Sequence, residues 1–277
     1  MTIKLYKPTN PLLKKYIECI YILKQTPEEK PAKYLTFPSL FTIVTISEKT
    51  KTVEKGNNLT IKYFPTRPIE TSLVCNFSKP VCIEYKGEIN EITIYFKPLG
   101  INIFLDNELK SYSKGKFPDF NPFEDYKSNM IKILSIQSDE EKIEALEVYW
   151  LSKLKKFQEP LLEEIISEMM NINNSHLSIT ELSIKTGKSR TTINKHFDKH
   201  ICKTPLQFKK ILRFRTAMMD FQKMSGNRKL TNITYNLDYF DQSHMIKDFK
   251  TLTGFTPRNF FSKVKGLENG EIKWIFL

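Results

Sequence analysis

Two textures of hydrophobic patterning divide the chain. From Lys33 to Phe96, β-branched and aromatic residues come in short runs broken by turn residues. This pattern predicts strands over Tyr34–Phe37, Phe41–Ser47, Leu59–Phe64, Glu70–Asn76, Val81–Tyr85 and Glu91–Phe96. Lys55-Gly-Asn-Asn58 and Lys86-Gly87 read as turns between them. Short strands at this spacing predict a small barrel or sandwich. Ahead of them, Asn10-Pro11 predicts a short helix through Tyr16. The apolar run Ile17 to Leu23 is too short to span a bilayer and is interrupted by Glu18.

Beyond Gln137 the apolar period lengthens to that of a helix. Ser138-Asp-Glu-Glu141 reads as a capping box, and Ile143, Leu146, Tyr149, Trp150 and Leu154 follow at helical spacing. Gln158-Glu-Pro160 breaks that helix, and Leu161, Leu162, Ile165, Ile166 and Met169 continue in a second. This pair either packs on the β-rich part or builds a dimer interface. Asn171-Ile-Asn-Asn-Ser175 reads as a polar linker.

After the linker one pattern occurs twice, 52 positions apart. Phe197 to Phe208 and Phe249 to Phe260 both read Phe, six residues, Thr-Pro, two residues, Phe. The register extends upstream, with Ile193 matching Met245 and Lys195 matching Lys247. Two copies are too few for a solenoid; they predict two copies of one small helical module. In the first, Ser178-Ile-Thr-Glu181 is a capping box, Leu182 an inward position, and Gly187 a residue that tolerates the positive φ of a sharp turn. Ser189 caps a second helix whose inner face carries Ile193 and Phe197. Helix, glycine turn, helix is the helix-turn-helix pattern. Its outer face then carries Arg190, Thr191, Asn194 and Lys195, which are side chains able to donate to base edges and phosphates.

The second copy places Ile233 and Thr234 at the inner positions, Asp238 at the turn and Asp241 at the cap. Met245 and Phe249 face inward, with Gln242, Ser243, His244 and Lys247 outward. Between the modules Thr204-Pro-Leu-Gln207 opens a helix to about Met224. Twenty residues span about 30 Å, close to one turn of B-DNA, the spacing at which two helices enter successive major grooves.

Charge sharpens this division. The net charge is +12. From Ser175 onward there are 19 Lys and Arg against 8 Asp and Glu, or +11, while residues 1–174 hold 24 against 23, or +1. An excess confined to one half points to a polyanionic partner for that half. The four cysteines, Cys19, Cys75, Cys82 and Cys202, contain no CxxC and make no disulfide framework; they read as small buried hydrophobes. With no long apolar run and no signal-peptide pattern, a cytoplasmic protein without a membrane partner is expected.

At these residues the chain resembles the AraC/XylS family of bacterial transcription regulators. Leu182 to Ser189, Ile193 to Phe197, Thr204-Pro205 and Ile211 to Ala217 follow the first half of that family's DNA-binding domain. Asp241 to Pro257 follows the second half. The resemblance implies base contacts from Thr191, Asn194, Lys195, Gln242, Ser243 and Lys247, with Arg190 and His244 supplying charge to the phosphates. The family usually has alanine where Ser183 and Thr234 stand and glycine where Cys202 and Asp238 stand. Ile92 to Gly100, followed by Ile101 to Leu105, looks like the end of the cupin-like β-domain that precedes this module in some AraC-type regulators.

The resemblance therefore implies an α+β chain: residues 1–136 a β-rich, cupin-like sensor, 137–174 a helical hairpin for dimerisation and linkage, 175–265 a double helix-turn-helix, and 266–277 a tail without assigned role. It implies double-stranded DNA as partner, a homodimer, a small-molecule effector and, for an activator, contact with RNA polymerase.

A cupin often holds metal on histidines, but His176, His196, His200 and His244 all lie in or beside the C-terminal part. No metal or other cofactor is expected in the barrel. Tyr34, Phe37, Phe41, Tyr63, Phe64, Tyr85, Tyr95 and Phe96 either line a ligand cavity or form core. Three functions compete. The first is a sequence-specific regulator, and the second is a DNA-binding protein whose N-terminal domain only dimerises or binds a protein. The third is a DNA-modifying methyl-transfer protein, which needs four clustered cysteines that Cys19, Cys75 and Cys82 do not supply. No G-x-S-x-G, P-loop or HExxH occurs. A regulator without catalytic residues is the expectation.

Overall fold

The computed structural model describes residues 1–115, 117–171, 177–223, 242–263 and 274–276. Two five-stranded sheets form the N-terminal part. The first, in the order β1-β2-β9-β4-β7, comprises β1 (Thr2–Tyr6), β2 (Ile17–Gln25), β9 (Ile89–Phe96), β4 (Thr42–Glu48) and β7 (Ile69–Val74), all antiparallel. The second runs β10-β3-β8-β6-β5: β10 (Trp274–Phe276), β3 (Ala32–Thr36), β8 (Val81–Lys86), β6 (Asn58–Tyr63) and β5 (Thr50–Lys55). Its β6–β8 pair is parallel and the rest antiparallel. All six predicted strands are present. The Lys55–Asn58 turn joins β5 to β6, with Gly56 at φ +63°. The last residues, which carried no sequence assignment, return as β10 to pair with β3.

β2 was not legible as a strand, for a physical reason. On β2, Ile20 and Ile22 face a helical layer, while Tyr21 and Leu23 face the second sheet. A strand covered on both faces shows no alternation, only a continuous apolar run. β9 is built the same way, with Ile92, Ile94 and Phe96 on the helical side and Tyr95 on the other.

The helical layer comprises α3 (Tyr126–Ser135) and α4 (Asp139–Ser152), with the short α1 (Leu13–Tyr16) and α2 (Leu109–Tyr112) at its margins. Ser138 caps α4 by accepting the Glu141 amide at 3.3 Å. Trp150, fully buried, packs edge-on against Phe96 and Phe104 with ring centroids 5.1 Å away in both cases. The turn after β9 closes over α1: a Cβ on Gly100 would collide with the Tyr16 carbonyl, so only glycine fits.

The two predicted hairpin helices part company. The apolar face of α4 joins the β-sheet core, whereas that of α5 (Pro160–Met170) joins the C-terminal core through Leu162, Ile165, Ile166 and Met169. Only α4 packs on the β-rich part as the first alternative expects; α5 packs instead on the helix-turn-helix half. No helix among the described residues is long and apolar enough to cross a membrane.

The two halves share a polar and apolar seam. Phe37 and Leu40, in the loop after β3, belong to the C-terminal core, and the Phe37 ring meets Phe260 edge-on at 5.1 Å. Arg215 donates to the carbonyls of Phe37 (2.7 Å) and Pro38 (2.9 Å). Asn102 donates to the His200 carbonyl at 2.9 Å.

Candidate nucleic-acid interface

The first module folds as its sequence patterning requires. α6 (Ile179–Thr186) starts on a reciprocal capping box between Ser178 and Glu181 and stops at Gly187, whose φ of +63° is left-handed. Ser189 caps α7 (Arg190–Ile201) by accepting the Thr192 amide at 3.1 Å. Leu182, Ile193 and Phe197 are fully buried. Arg190, Thr191, Asn194 and Lys195 are all exposed, on the opposite side of α7. The Asn194 side-chain amide donates to the Arg190 carbonyl at 2.8 Å.

The linker helix α8 (Pro205–Lys223) is 19 residues long, about 28 Å by the helical rise. Thr204 and Gln207 form a second reciprocal cap, at 3.1 and 2.9 Å. Of the second module, Ile233, Thr234, Asp238 and Asp241 lie outside the described residues. Its second helix, α9 (Gln242–Thr253), is described, followed by α10 (Pro257–Lys263). Met245 and Phe249 are buried, and Ser243 and Lys247 are exposed. Gln242 and His244 fall on the first turn of α9, their side chains outside the described set.

The repeat aligns more than the apolar residues. At the position between lysine and phenylalanine, each second helix carries an ionisable side chain that holds it to its surroundings. His196 of α7 pairs with Glu159 at 2.9 Å, just before α5. Asp248 of α9, almost fully buried, takes Lys210 at 2.9 Å and Arg213 at 3.2 Å, both from α8. Sequence reasoning assigned no role to Lys210, Arg213 or Asp248. The usable signal was an acidic residue on the inner side of an otherwise basic helix.

The profile of the helix-turn-helix domain family matches residues 182–263. The C-terminal segment is thus similar to a helix-turn-helix domain. No curated protein matches the chain at a significant level. Among solved structures, ToxT from Vibrio cholerae in a 1.65 Å form is 10% identical. The match covers 95% of this chain and 98% of that one, with a TM-score of 0.45. Unsaturated-fatty-acid-bound wild-type ToxT from strain SCE256 is 12% identical over 97% and 98%, also with a TM-score of 0.45.

Away from the helix-turn-helix domain, the space between the two sheets holds a cavity of about 70 Å³, room for several waters. Of the aromatic residues singled out in the sequence, Tyr34, Tyr85 and Tyr95 line it. Phe37 and Phe96 are core elsewhere, Tyr63 and Phe64 are exposed, and Phe41 stacks edge-on with Tyr95 at 5.9 Å. A buried carboxylate sits in the wall. Glu91 accepts from Ser47 (2.7 Å), Tyr85 (2.8 Å), Thr93 (3.1 Å) and Tyr21 (3.4 Å). Burial pushes its carboxyl above the usual range, and those hydroxyl donors pull it part of the way back.

A carboxyl raised in the fold binds more protons native than unfolded, so its contribution is complete below the unfolded value. That contribution is lost as pH rises through the folded value. The wild-type protein should therefore lose stability from about pH 4.3 upward more steeply than Glu91→Gln, which keeps an acceptor and cannot ionise. Urea midpoints of both proteins across that range check this; parallel curves would remove Glu91 as the cause.

Proposed function

We propose that this protein is a sequence-specific regulator of transcription that reads double-stranded DNA through α7 and α9. The carrying observation is the repeat itself. Two helices at equivalent positions bury Ile193 and Phe197, or Met245 and Phe249, and present Lys195 or Lys247 outward. They stand in the half of the chain that carries +11 of the +12 net charge. In this reading Thr191, Asn194, Lys195, Gln242, Ser243 and Lys247 meet base edges, and Arg190 and His244 meet phosphates. A homodimer would present two such domains to a two-fold operator, and contact with RNA polymerase follows if the protein activates.

Lys195→Ala tests the base assignment. On the preferred sequence it should cost roughly 1–3 kcal/mol of binding and relax specificity at one base pair, with little change on other sequences. Titrations against a selected site and its single-base variants measure this. An equal loss on every sequence moves Lys195 to the phosphates. Affinity should also fall steeply with salt as counterions are released; a flat salt response would sink the DNA reading.

The tyrosine-lined cavity with Glu91 in its wall favours a sensing role for the sheets over mere dimerisation. A small molecule that enters it should raise the melting temperature of the full chain and shift its affinity for DNA.

A further inference from the structure

One cluster at the seam between the halves is not used by DNA recognition. Cys75 follows β7 at the rim of the first sheet, and Cys202 ends α7 of the first helix-turn-helix module. Both are buried in the same core cluster, at 4% and 1% exposure, although they belong to different halves of the chain. Lys203, the next residue after Cys202 and itself buried, donates its ammonium to the Cys75 carbonyl. That bond docks the α7–α8 turn onto the end of the strand and brings the two cysteines together. Cys202 adopts φ +56°, a left-handed conformation that a non-glycine residue enters only at some cost.

The electrostatics single out one of the two sulfurs. Interaction with the neighbouring Cys75 thiol is the main influence bringing the Cys202 thiol down, to about 7; burial opposes it, and the Ser113 hydroxyl and the charges of Lys203 and Lys110 add to it. The same interaction drives Cys75 upward. An ionised thiol beside a protonated one is the arrangement in which the first attacks an oxidant and the second resolves the product. An open cleft of about 220 Å³ reaches Asn76 and Lys203, the residues after each cysteine, while neither cysteine itself lines it.

We propose that Cys75 and Cys202 form a peroxide-sensitive pair whose disulfide tethers the β-sheet half to the first helix-turn-helix module. The Cys202 thiolate attacks one peroxide oxygen and the O–O bond breaks. A sulfenic acid forms on Cys202, and the departing oxygen leaves as water after taking a proton. The Cys75 sulfur then attacks the Cys202 sulfur, the S–O bond breaks, and the hydroxyl leaves as a second water with the Cys75 proton. Two thiols are oxidised and one hydrogen peroxide is reduced to two waters. A dithiol reverses the link by exchange.

The test uses the full chain, reduced and freed of reductant, then exposed to hydrogen peroxide and digested without reduction. The expected result is a peptide pair joining Cys75 to Cys202, lighter by two hydrogens and separated again by a dithiol. It should persist in the double variant Cys19→Ser/Cys82→Ser and vanish in Cys202→Ser. The rate of linking should rise through about pH 7, following the Cys202 thiol. Peroxide that leaves both thiols free, that stops at a sulfinic acid on Cys202, or that links other cysteine pairs overturns the proposal. So does a rate that rises only near the ordinary thiol range. Because mapping on the wild-type chain needs no DNA, failure here is distinct from failure of the DNA-binding reading.

Discussion

Replacing Phe214 by alanine is expected to cost about 3–5 kcal/mol of folding free energy, the usual range for a fully buried phenylalanine. Phe214 lies on α8 with no exposed surface. Its ring meets Phe249 of α9 at 5.1 Å and Phe260 of α10 at 5.7 Å, and Phe260 in turn meets Phe37 of the β-sheet half. The truncation therefore opens a cavity where the linker helix α8, α9 and the loop after β3 converge. Against a typical stability of about 5–15 kcal/mol, this is enough to loosen the second module while the sheets remain folded. Urea denaturation followed by far-ultraviolet circular dichroism, which reads the helices, measures the loss, and the salt slope of DNA binding should shrink as α9 contacts drop out. Ile184→Ala, at a position 76% exposed, is the matched control and should stay within about 0.5 kcal/mol of wild type. A Phe214→Ala protein as stable as that control would mean the aromatic cluster does not hold the second module.

Asp248→Ala should be comparably costly, by a different route. Its carboxylate, 3% exposed as a residue, faces Lys210 and Arg213 of α8, whose side chains are 27% and 15% exposed. Removing one partner of a buried ion pair leaves charge without compensation and typically costs about 3–5 kcal/mol. Here the two cations would also be left facing each other. The structural consequence is specific: α9 loses the bonds that set its rotation on α8, so Ser243 and Lys247 no longer share a fixed geometry with α7. Asp248→Asn, which keeps an acceptor, should cost less. A double-mutant cycle of Asp248→Ala with Arg213→Met isolates the pair. A coupling energy near zero would show that packing of Met245 and Phe249 alone orients the helix.

Much of the helix-turn-helix half was readable residue by residue. Capping boxes at Ser178 and Thr204, the positive φ of Gly187 and the inward Ile193 and Phe197 are local devices, whose causes lie within a few positions of their effects. The six predicted strands were readable because one face of each is less covered than the other, or because turn residues bound them. β2 was not, because burial on both faces erases alternation, and β10 was not, because three residues pair with a strand more than 230 positions away.

Sequence by itself determined the two textures, the doubled module, the basic half and the side of each second helix that carries polar groups, since these depend on period and composition. Only the tertiary structure decided that α4 serves the sheets while α5 serves the first module, that Asp248 is held by Lys210 and Arg213, that Glu91 is buried among hydroxyls, and that Cys75 meets Cys202. Each of those contacts joins residues from different elements, many of them far apart in the chain. Non-local packing sets their partners, burial and charge environment, and no local pattern of residues encodes them.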